Sequence, residues 1–517
     1  VKVSFPFKHY RKGQKEAIEK AKAAFKKGKR FVVIEAPTGS GKSAIAVTLA
    51  RQAKSSYILT AQKILQEQYL RDFPDLSLMK GRANYPCLVA PTHAAAAPCI
   101  AGRKFTECDA CPYFVSKETA IAASNTIMNY AYYLAELNYS GGFTPRELLV
   151  LDEAHNAESA LMSFVGVMLS DTAMTRVGIA ERLPTVLEDS EYFDFAEELI
   201  PVFSKRSSEL EHDLKKDSVR GELAIAYMQH KQYVDNQLRR LEVLKESRDE
   251  GLVDWVVERG RNNEGQWLSF KPVKVSTFAS QLLFGFAEKV LMLSATILDA
   301  PTYLRSLGIH SDEAEVIQID SEFPPENRPI FVRNVARMTR HHIEADMPKL
   351  MKEIVELFEA HPNDKGVIHA HSYKIASYIS KHLPKEYQHR LITHLDSDGR
   401  DAALDKHLQS VLPTVLLSPS MTEGIDLADD LSRWQVICKI PYPYLGDPQV
   451  ARRKDIDPAW YDWKTCLTIV QAYGRSVRSK DDYALTYVLD ADFPGFIKRQ
   501  QRRLPEWFLE AIQESGR

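Results

Sequence analysis

An α/β protein with two parallel-sheet domains is predicted by three features of the sequence. Apolar strand-like runs alternate with helical stretches in both halves, the first half joins a strand directly to a glycine loop and a helix start, and a long helical stretch interrupts the alternation. The strand is Arg30-Phe31-Val32-Val33, the loop Ile34 to Ser43 (IEAPTGSGKS), and the helix Ala44 to Ala50. A phosphate chain needs backbone N–H groups converging at a helix N-terminus, a lysine for the outer phosphates and a hydroxyl for Mg²⁺. Thr38, Gly39, Ser40 and Gly41 supply the side-chain-poor loop, and Lys42 and Ser43 the lysine and hydroxyl. Ala36 stands where this pattern usually opens on glycine. ATP with Mg²⁺ is the expected ligand.

The 517 residues, 44% hydrophobic and 26% charged, are of globular composition and long enough for about three or four domains. No apolar run is long enough to span a bilayer and no charged-then-apolar leader opens the chain, so a cytoplasmic protein without a membrane partner is expected. The chain starts on Val1, not Met, so residues are expected to precede it. A net charge of −2 gives no global attraction to nucleic acid, and any such partner must be held in local grooves.

In chain order, Phe5 to Gln14 leads into an amphipathic helix through Lys27. An aromatic and a glutamine just upstream of a phosphate loop suit an adenine, which makes Tyr10 and Gln14 candidates; a capped surface helix is the alternative. Ser56 to Thr60 reads as the second strand, followed by a helix through Tyr69. Ligands in open α/β sheets sit at the carboxyl ends of strands, so Thr60 and Gln62 are candidate contacts to a nucleic-acid backbone.

Four of the six cysteines then fall together as Cys87, Cys99, Cys108 and Cys111, spaced C-x11-C-x8-C-x2-C in a stretch without periodicity. In a chain without a secretion signal they point to a metal site, and four thiolates suit either Zn²⁺ or an iron–sulfur cluster; the spacing does not choose. Arg82, Tyr85, Lys104 and Tyr113 interleave cations and aromatics around them. That pattern reads either as a strand-tracking surface or as a small aromatic core. Cys438 and Cys466 read as packing residues.

Leu148 to Leu151 is a buried strand ending in Asp152-Glu153-Ala154-His155. Asp152 is placed to hold Mg²⁺ and Glu153 to polarise the attacking water, the division of labour that in-line phosphoryl transfer requires. His155 is expected to couple this site to another motif. From Ser159 to Glu258 the chain is helical, with Leu223, Tyr227, Val234, Leu238 and Leu241 on one face. Lys289 to Thr296 is another strand, and Ser294 and Thr296 are expected to bond to the acidic loop.

The second half repeats the α/β texture without a phosphate loop. Gly366 to Ser372 and Thr414 to Ser418 read as strands, followed by Thr422-Glu423-Gly424-Ile425-Asp426. Gln471-Ala472-Tyr473-Gly474-Arg475-Ser476-Val477-Arg478 follows a helix from Trp463. It is expected to present Arg475 and Arg478 on one helix face toward a transferring phosphate.

The ordered set Ala36 to Ser43, Asp152 to His155, Ser294 to Thr296, Thr422 to Asp426 and Gln471 to Arg478 resembles superfamily 2 helicases. Gly81 to Cys87 (GRANYPC), Cys111-Pro112-Tyr113 and Phe270-Lys271-Pro272 resemble the XPD and DinG branch, and the resemblance spans nearly the whole chain. It implies two RecA-like motors, with a [4Fe–4S] domain ligated by Cys87, Cys99, Cys108 and Cys111 and a helical arch both inserted in the first. It also implies 5′ to 3′ movement on single-stranded DNA. The terminal C-x2-C departs from XPD-like members, whose pair lies in the middle, and there is no room for a nuclease domain at the start.

The expected layout is 1–82, 115–158 and 259–300 for motor 1, 83–114 for the cluster domain, 159–258 for the arch and 301–517 for motor 2. Lys42, Asp152, Glu153, Arg475 and Arg478 would be catalytic. Tyr10, Gln14, Thr38 to Ser43, Asp152, Gly424, Asp426 and Gln471 would contact nucleotide, and Ser43 and Asp152 would hold Mg²⁺. The expected function is a monomeric ATP-driven DNA helicase acting on single strands and duplex junctions in repair or replication. The alternatives are an RNA helicase and a nucleic-acid-dependent ATPase that serves as a scaffold or loader.

Overall fold

A computed structural model describes residues 5–513 except 98, 100–105, 186, 217, 220, 263–264, 322, 395–398, 420–426, 428 and 478–481. Lys104, Thr422 to Asp426 and Arg478 therefore lie outside the described residues.

Seventeen strands fall into three sheets among the described residues. In chain order they are β1 (Phe31–Glu35), β2 (Ser56–Thr60), β3 (Ser77–Leu78), β4 (Asn125–Asn129), β5 (Arg146–Asp152), β6 (Val167–Ser170), β7 (Trp255–Asn262), β8 (Gly265–Pro272) and β9 (Ala287–Ser294). Next come β10 (Ala314–Gln318), β11 (Ile330–Ala336), β12 (Gly366–His369), β13 (Leu391–Thr393), β14 (Val415–Ser418), β15 (Trp434–Ile437), β16 (Leu485–Asp490) and β17 (Ile512–Gln513). The first sheet, β10-β1-β9-β5-β2-β4-β3, and the second, β13-β14-β12-β15-β16-β11-β17, are parallel throughout, which is the expected two-domain α/β arrangement.

A parallel strand covered on both faces must be apolar on both, which is why β1, β5 and β9 read as continuous apolar runs and not as alternation. One core packs Phe31, Leu149, Leu151 and Met292 on one face of the first sheet; another packs Val32, Ile34, Val150 and Leu291 on the other. Register decides what this sheet delivers. Glu35 pairs with Ser294 and Asp152 with Leu293, so β1, β9 and β5 end at one level and release the phosphate loop, the Ser294 loop and the acidic motif side by side.

The helical interruption is an antiparallel pair, Asp189–Leu214 and Gly221–Asp249, mounted on the antiparallel sheet β6-β8-β7. Val234 and Leu241 are buried in its core with Tyr227 and Leu238 packed against it, but Leu223 is exposed. Near its start the long helix instead buries Ala224 and Met228 against Leu214, the last residue of the first helix, and Val219 of the turn between them. Cys438 and Cys466 are both buried in apolar surroundings, as expected.

The segment around the four cysteines is built from short turns, Arg82–Asn84, Ala94–Ala96 and Thr106–Ala110, before the helix Pro112–Ala122. A correction concerns the arginine motif. The helix Pro458–Tyr473 stops before Arg475, so Arg475 does not lie on its face. Past the helix end the buried Ser476 hydroxyl donates to Gln435 Oε1 at 3.2 Å and lies 2.7 Å from Ser432 Oγ, which ties this stretch to β15 and the residues before it.

Candidate active site

The carboxyl ends of β1, β5 and β9 open into a cleft of about 1370 Å³. Lys42, Ser43, Asp152 and Glu153 line it from the first sheet, and Gln471 and Arg475 from the second half of the chain. Thr38, Gly39 and Gly41 also line it.

Gly41 caps the helix Lys42–Gln52 at φ 79°, a left-handed conformation that favours glycine. A Cβ there would lie 2.3 Å from Gln14 Nε2, so the position is closed to a side chain as well. Gln14 explains the tight fit. Its Nε2 donates to the carbonyls of Ser40 at 2.9 Å and Gly41 at 3.2 Å, while its Oε1 accepts from the Arg11 backbone N–H at 2.7 Å. Arg11 also donates to the Gly39 carbonyl. Gln14 is thus buried and engaged at both ends as a brace of the loop. Tyr10 is exposed at the cleft edge, its ring 4.0 Å from that of Phe5.

Lys42 Nζ rests 3.5 Å from the Ala36 carbonyl. Asp152 is buried, and burial, then the adjacent Glu153 charge, push its carboxyl up to about 6 against the opposing pull of Lys42. Tyr69 donates its hydroxyl to Asp152 Oδ2 at 2.8 Å and the Glu153 N–H donates to Oδ1 at 3.0 Å, both favouring the ionised form. Glu153 takes a left-handed backbone, φ 49°, a strained choice for a side-chain-bearing residue that turns its carboxylate into the cleft.

His155 links this loop to its neighbour, as expected. Its Nε2 faces the Asn156 side-chain amide at 3.1 Å, so the tautomer that suits has the proton on Nδ1, donating to Ser294 Oγ at 2.7 Å. The Thr296 N–H donates to the same Oγ at 3.0 Å, and Gln471 Nε2 donates to Thr296 Oγ1 at 3.3 Å. One run of hydrogen bonds therefore joins the acidic motif to the second half of the chain. Glu35 fixes the loop between them by accepting the N–H groups of Ile297 and Leu298, each at 2.8 Å.

Sequence reasoning missed Tyr69, Glu35 and Arg11. Each acts through a partner distant in sequence, and no local pattern marks them. It also offered Thr60 as a ligand contact, and it left the aromatics around the cysteines open between a surface and a core. Thr60 is buried and spends its hydroxyl on the Gln62 carbonyl at 3.2 Å, so it has no backbone of a ligand to touch. Tyr113 is 1% exposed, packed edge-on to Tyr85 and Phe114 with Arg82 over its face at 4.5 Å; the aromatics there form a core.

Cys87, Cys99 and Cys108 are half-buried and Cys111 is buried. Burial raises the Cys99 thiol, and Cys108, Cys111 and Cys87 add to that shift against the opposing pull of Arg82. Among the described residues no group of three or more His, Cys, Asp or Glu side chains stands close enough to hold a metal ion. The donor chemistry, four thiols on a turn-rich segment, still suits a tetrathiolate group.

Comparison with known proteins gives a consistent family. Residues 354–511 match the model of a helicase C-terminal domain, and residues 7–180 that of the type III restriction enzyme, res subunit. A probable ATP-dependent helicase of Methanocaldococcus jannaschii is 21% identical, over 97% of this chain and 94% of that protein. The ATP-dependent DNA helicase DinG of Photobacterium profundum is 22% identical, over 78% of this chain and 70% of its own length. In fold, a solved XPD helicase superposes with a TM-score of 0.67 at 15% identity, covering 96% of this chain and 98% of its own. S. tokodaii Xpd4 does so with a TM-score of 0.59 at 16% identity, covering 97% and 99%. Among the described residues no helix is long and apolar enough to cross a membrane.

Proposed function

Because the chain belongs to the XPD/DinG-like superfamily 2 helicases, with two RecA-like domains and ATP-dependent helicase activity, we propose that it moves 5′ to 3′ on single-stranded DNA and opens duplexes at junctions. The observation that carries this reading furthest is the single cleft lined by Lys42, Ser43, Asp152 and Glu153 from motor 1 and by Gln471 and Arg475 from motor 2. A nucleotide between two motors ties their separation to its own hydrolysis, which is what a stepping motor requires.

In this reading the loop N–H groups from Thr38 to Gly41 and Lys42 hold the phosphates. Ser43 and Asp152 would hold Mg²⁺, which would supply neutralising charge on them. Glu153 accepts a proton from the attacking water, and Arg475, with Arg478, meets the charge that develops. Gly424 and Asp426 belong to the same site from motor 2. Tyr10 flanks the adenine, with Gln14 beside it holding the loop in shape. Cys87, Cys99, Cys108 and Cys111 hold a [4Fe–4S] cluster that braces the segment 83–114, and the helical pair within 159–258 is the arch. Motor 1 comprises 1–82, 115–158 and 259–300 and also β10; the expected boundary at 300 is corrected by the pairing of β10 with β1, which carries the first sheet to Gln318 and leaves motor 2 the residues beyond it. The protein acts in the cytoplasm as a monomer, in repair or replication.

Strand displacement on DNA duplexes with 5′ or 3′ overhangs, and on their RNA counterparts, tests this. ATP-dependent opening of the 5′-tailed DNA alone is expected. Opening of the RNA duplexes with equal efficiency would make it an RNA helicase, and hydrolysis without displacement would make it a strand-bound ATPase.

A further inference from the structure

The helix Ala157–Val165 starts directly behind the acidic motif and carries Glu158 in its first turn. Glu158 points out of motor 1 into motor 2, and only 6% of the residue is exposed. Its carboxylate accepts the Trp460 indole N–H at 3.0 and 3.1 Å and stands 3.3 Å from Lys464 Nζ and 3.5 Å from Arg453 Nη2. Arg453 is itself buried and leaves its Nε without a hydrogen-bond partner.

Glue between two motors would not be made this way. Desolvating a carboxylate and two cations is costly, and well-packed apolar side chains hold an interface as firmly. What a charge cluster adds is register, because an ion pair loses its attraction when its partner slides. Trp460 and Lys464 lie on the helix Pro458–Tyr473, and the same helix donates Trp463 Nε1 to the Ile297 carbonyl at 2.7 Å and Gln471 Nε2 to Thr296 Oγ1 at 3.3 Å. One motor 2 helix is therefore pinned to motor 1 along its length, and its end delivers Arg475 to the cleft.

We infer that Glu158 is a positioning residue: by its charge on Lys464 and Arg453 it sets the register of the helix that brings Gln471 and Arg475 to the nucleotide cleft. It does so from the acidic motif's own helix, so the group that activates water and the groups that meet it from motor 2 share one mechanical link. The inference rests on the ATP-driven reading of that cleft.

The test is strand-stimulated ATP hydrolysis by Glu158→Gln, Lys464→Met and the double variant. Glutamine keeps shape and an acceptor for Trp460 but removes the charge. Expected is a fall in kcat of about tenfold in Glu158→Gln with KM for ATP within about twofold, since the phosphate loop is untouched. Loss of interface glue alone would lower the thermal midpoint and leave kcat of the folded protein unchanged. The double variant is expected to lose no more than the more damaged single variant, because both remove one interaction. Unaltered kcat in Glu158→Gln, a raised KM at unchanged kcat, or additive losses in the double variant would each overturn the inference. If Glu158→Gln does not fold, Trp460→Phe takes its place in the cycle with Lys464→Met. A wild-type chain without strand-stimulated hydrolysis would instead overturn the helicase reading; an active wild type with unaltered variants overturns this inference alone.

Discussion

Replacing Tyr69 with Phe removes one hydroxyl from a buried site and leaves the ring against Phe73, 5.8 Å away. That hydroxyl donates to Asp152 Oδ2 at 2.8 Å and helps hold the carboxyl at about 6 against burial. A buried hydrogen bond to a charged acceptor contributes about 1.5–3 kcal/mol, and one pKa unit is 1.36 kcal/mol, so its loss raises Asp152 by about one to two units. Asp152 then titrates near about 7 to 8, and a proton competes with Mg²⁺ for it at neutral pH. At pH 7 the ionised fraction drops from about nine-tenths to between a half and a tenth, which raises the Mg²⁺ half-saturation roughly two- to tenfold. The assay is strand-stimulated ATP hydrolysis against Mg²⁺ concentration at intervals from about pH 5.5 to 9. Expected is an acid limb displaced upward by about one to two units, with wild-type Mg²⁺ dependence restored at the alkaline end. Coincident acid limbs, or a Mg²⁺ defect that persists at high pH, would refute the electrostatic role of Tyr69.

Lys42→Ala and Glu153→Gln are expected to abolish turnover while single-strand binding, measured by fluorescence anisotropy, stays at the wild-type level. Relative to Asp152→Asn, the nucleotide-free protein should lose stability as pH rises through the window from 3.8 to about 6, because the native state holds the Asp152 proton more tightly than the unfolded chain does; the difference between the two proteins' denaturant midpoints across that window checks the sign. Cys108→Ser should lose iron and visible absorbance after anaerobic purification and stop separating strands while keeping much of its ATPase; stoichiometric zinc in the wild type would refute the cluster. Tyr113→Ala should destabilise the protein by about 3–5 kcal/mol in denaturant melts, as truncation of a buried aromatic does, and leave strand binding by the folded fraction unchanged.

Much of the fold was legible because its strands are buried on both faces. Such strands appear in the sequence as unbroken apolar runs, and β1, β2, β5, β9, β12 and β14 fall within a few residues of where those runs place them. The phosphate loop and the acidic motif were legible for a related reason: their chemistry is done by consecutive residues at a strand end, so a local string carries it. Arg475 lines the cleft but lies beyond the helix end, in a stretch where Ser476 bonds to Ser432 and Gln435, some forty positions away. The exposed Leu223 shows the same limit, because helical spacing gives a face but not where along the helix a partner begins.

The sequence by itself determined the two-sheet α/β class, the position of the candidate phosphate-binding loop and the order of the motifs, all of which depend on neighbouring residues and on the period of apolar side chains. Only the tertiary structure decided that Tyr69 tunes Asp152, that Glu35 and Gln14 brace loops of the cleft, and that Glu158 reaches across to Trp460 and Lys464. Those contacts depend on how separate elements pack. Parallel register sets Glu35 level with Ser294 and so within reach of Ile297, and the meeting of two helices brings Glu158 to Trp460; nothing in either local stretch records the other.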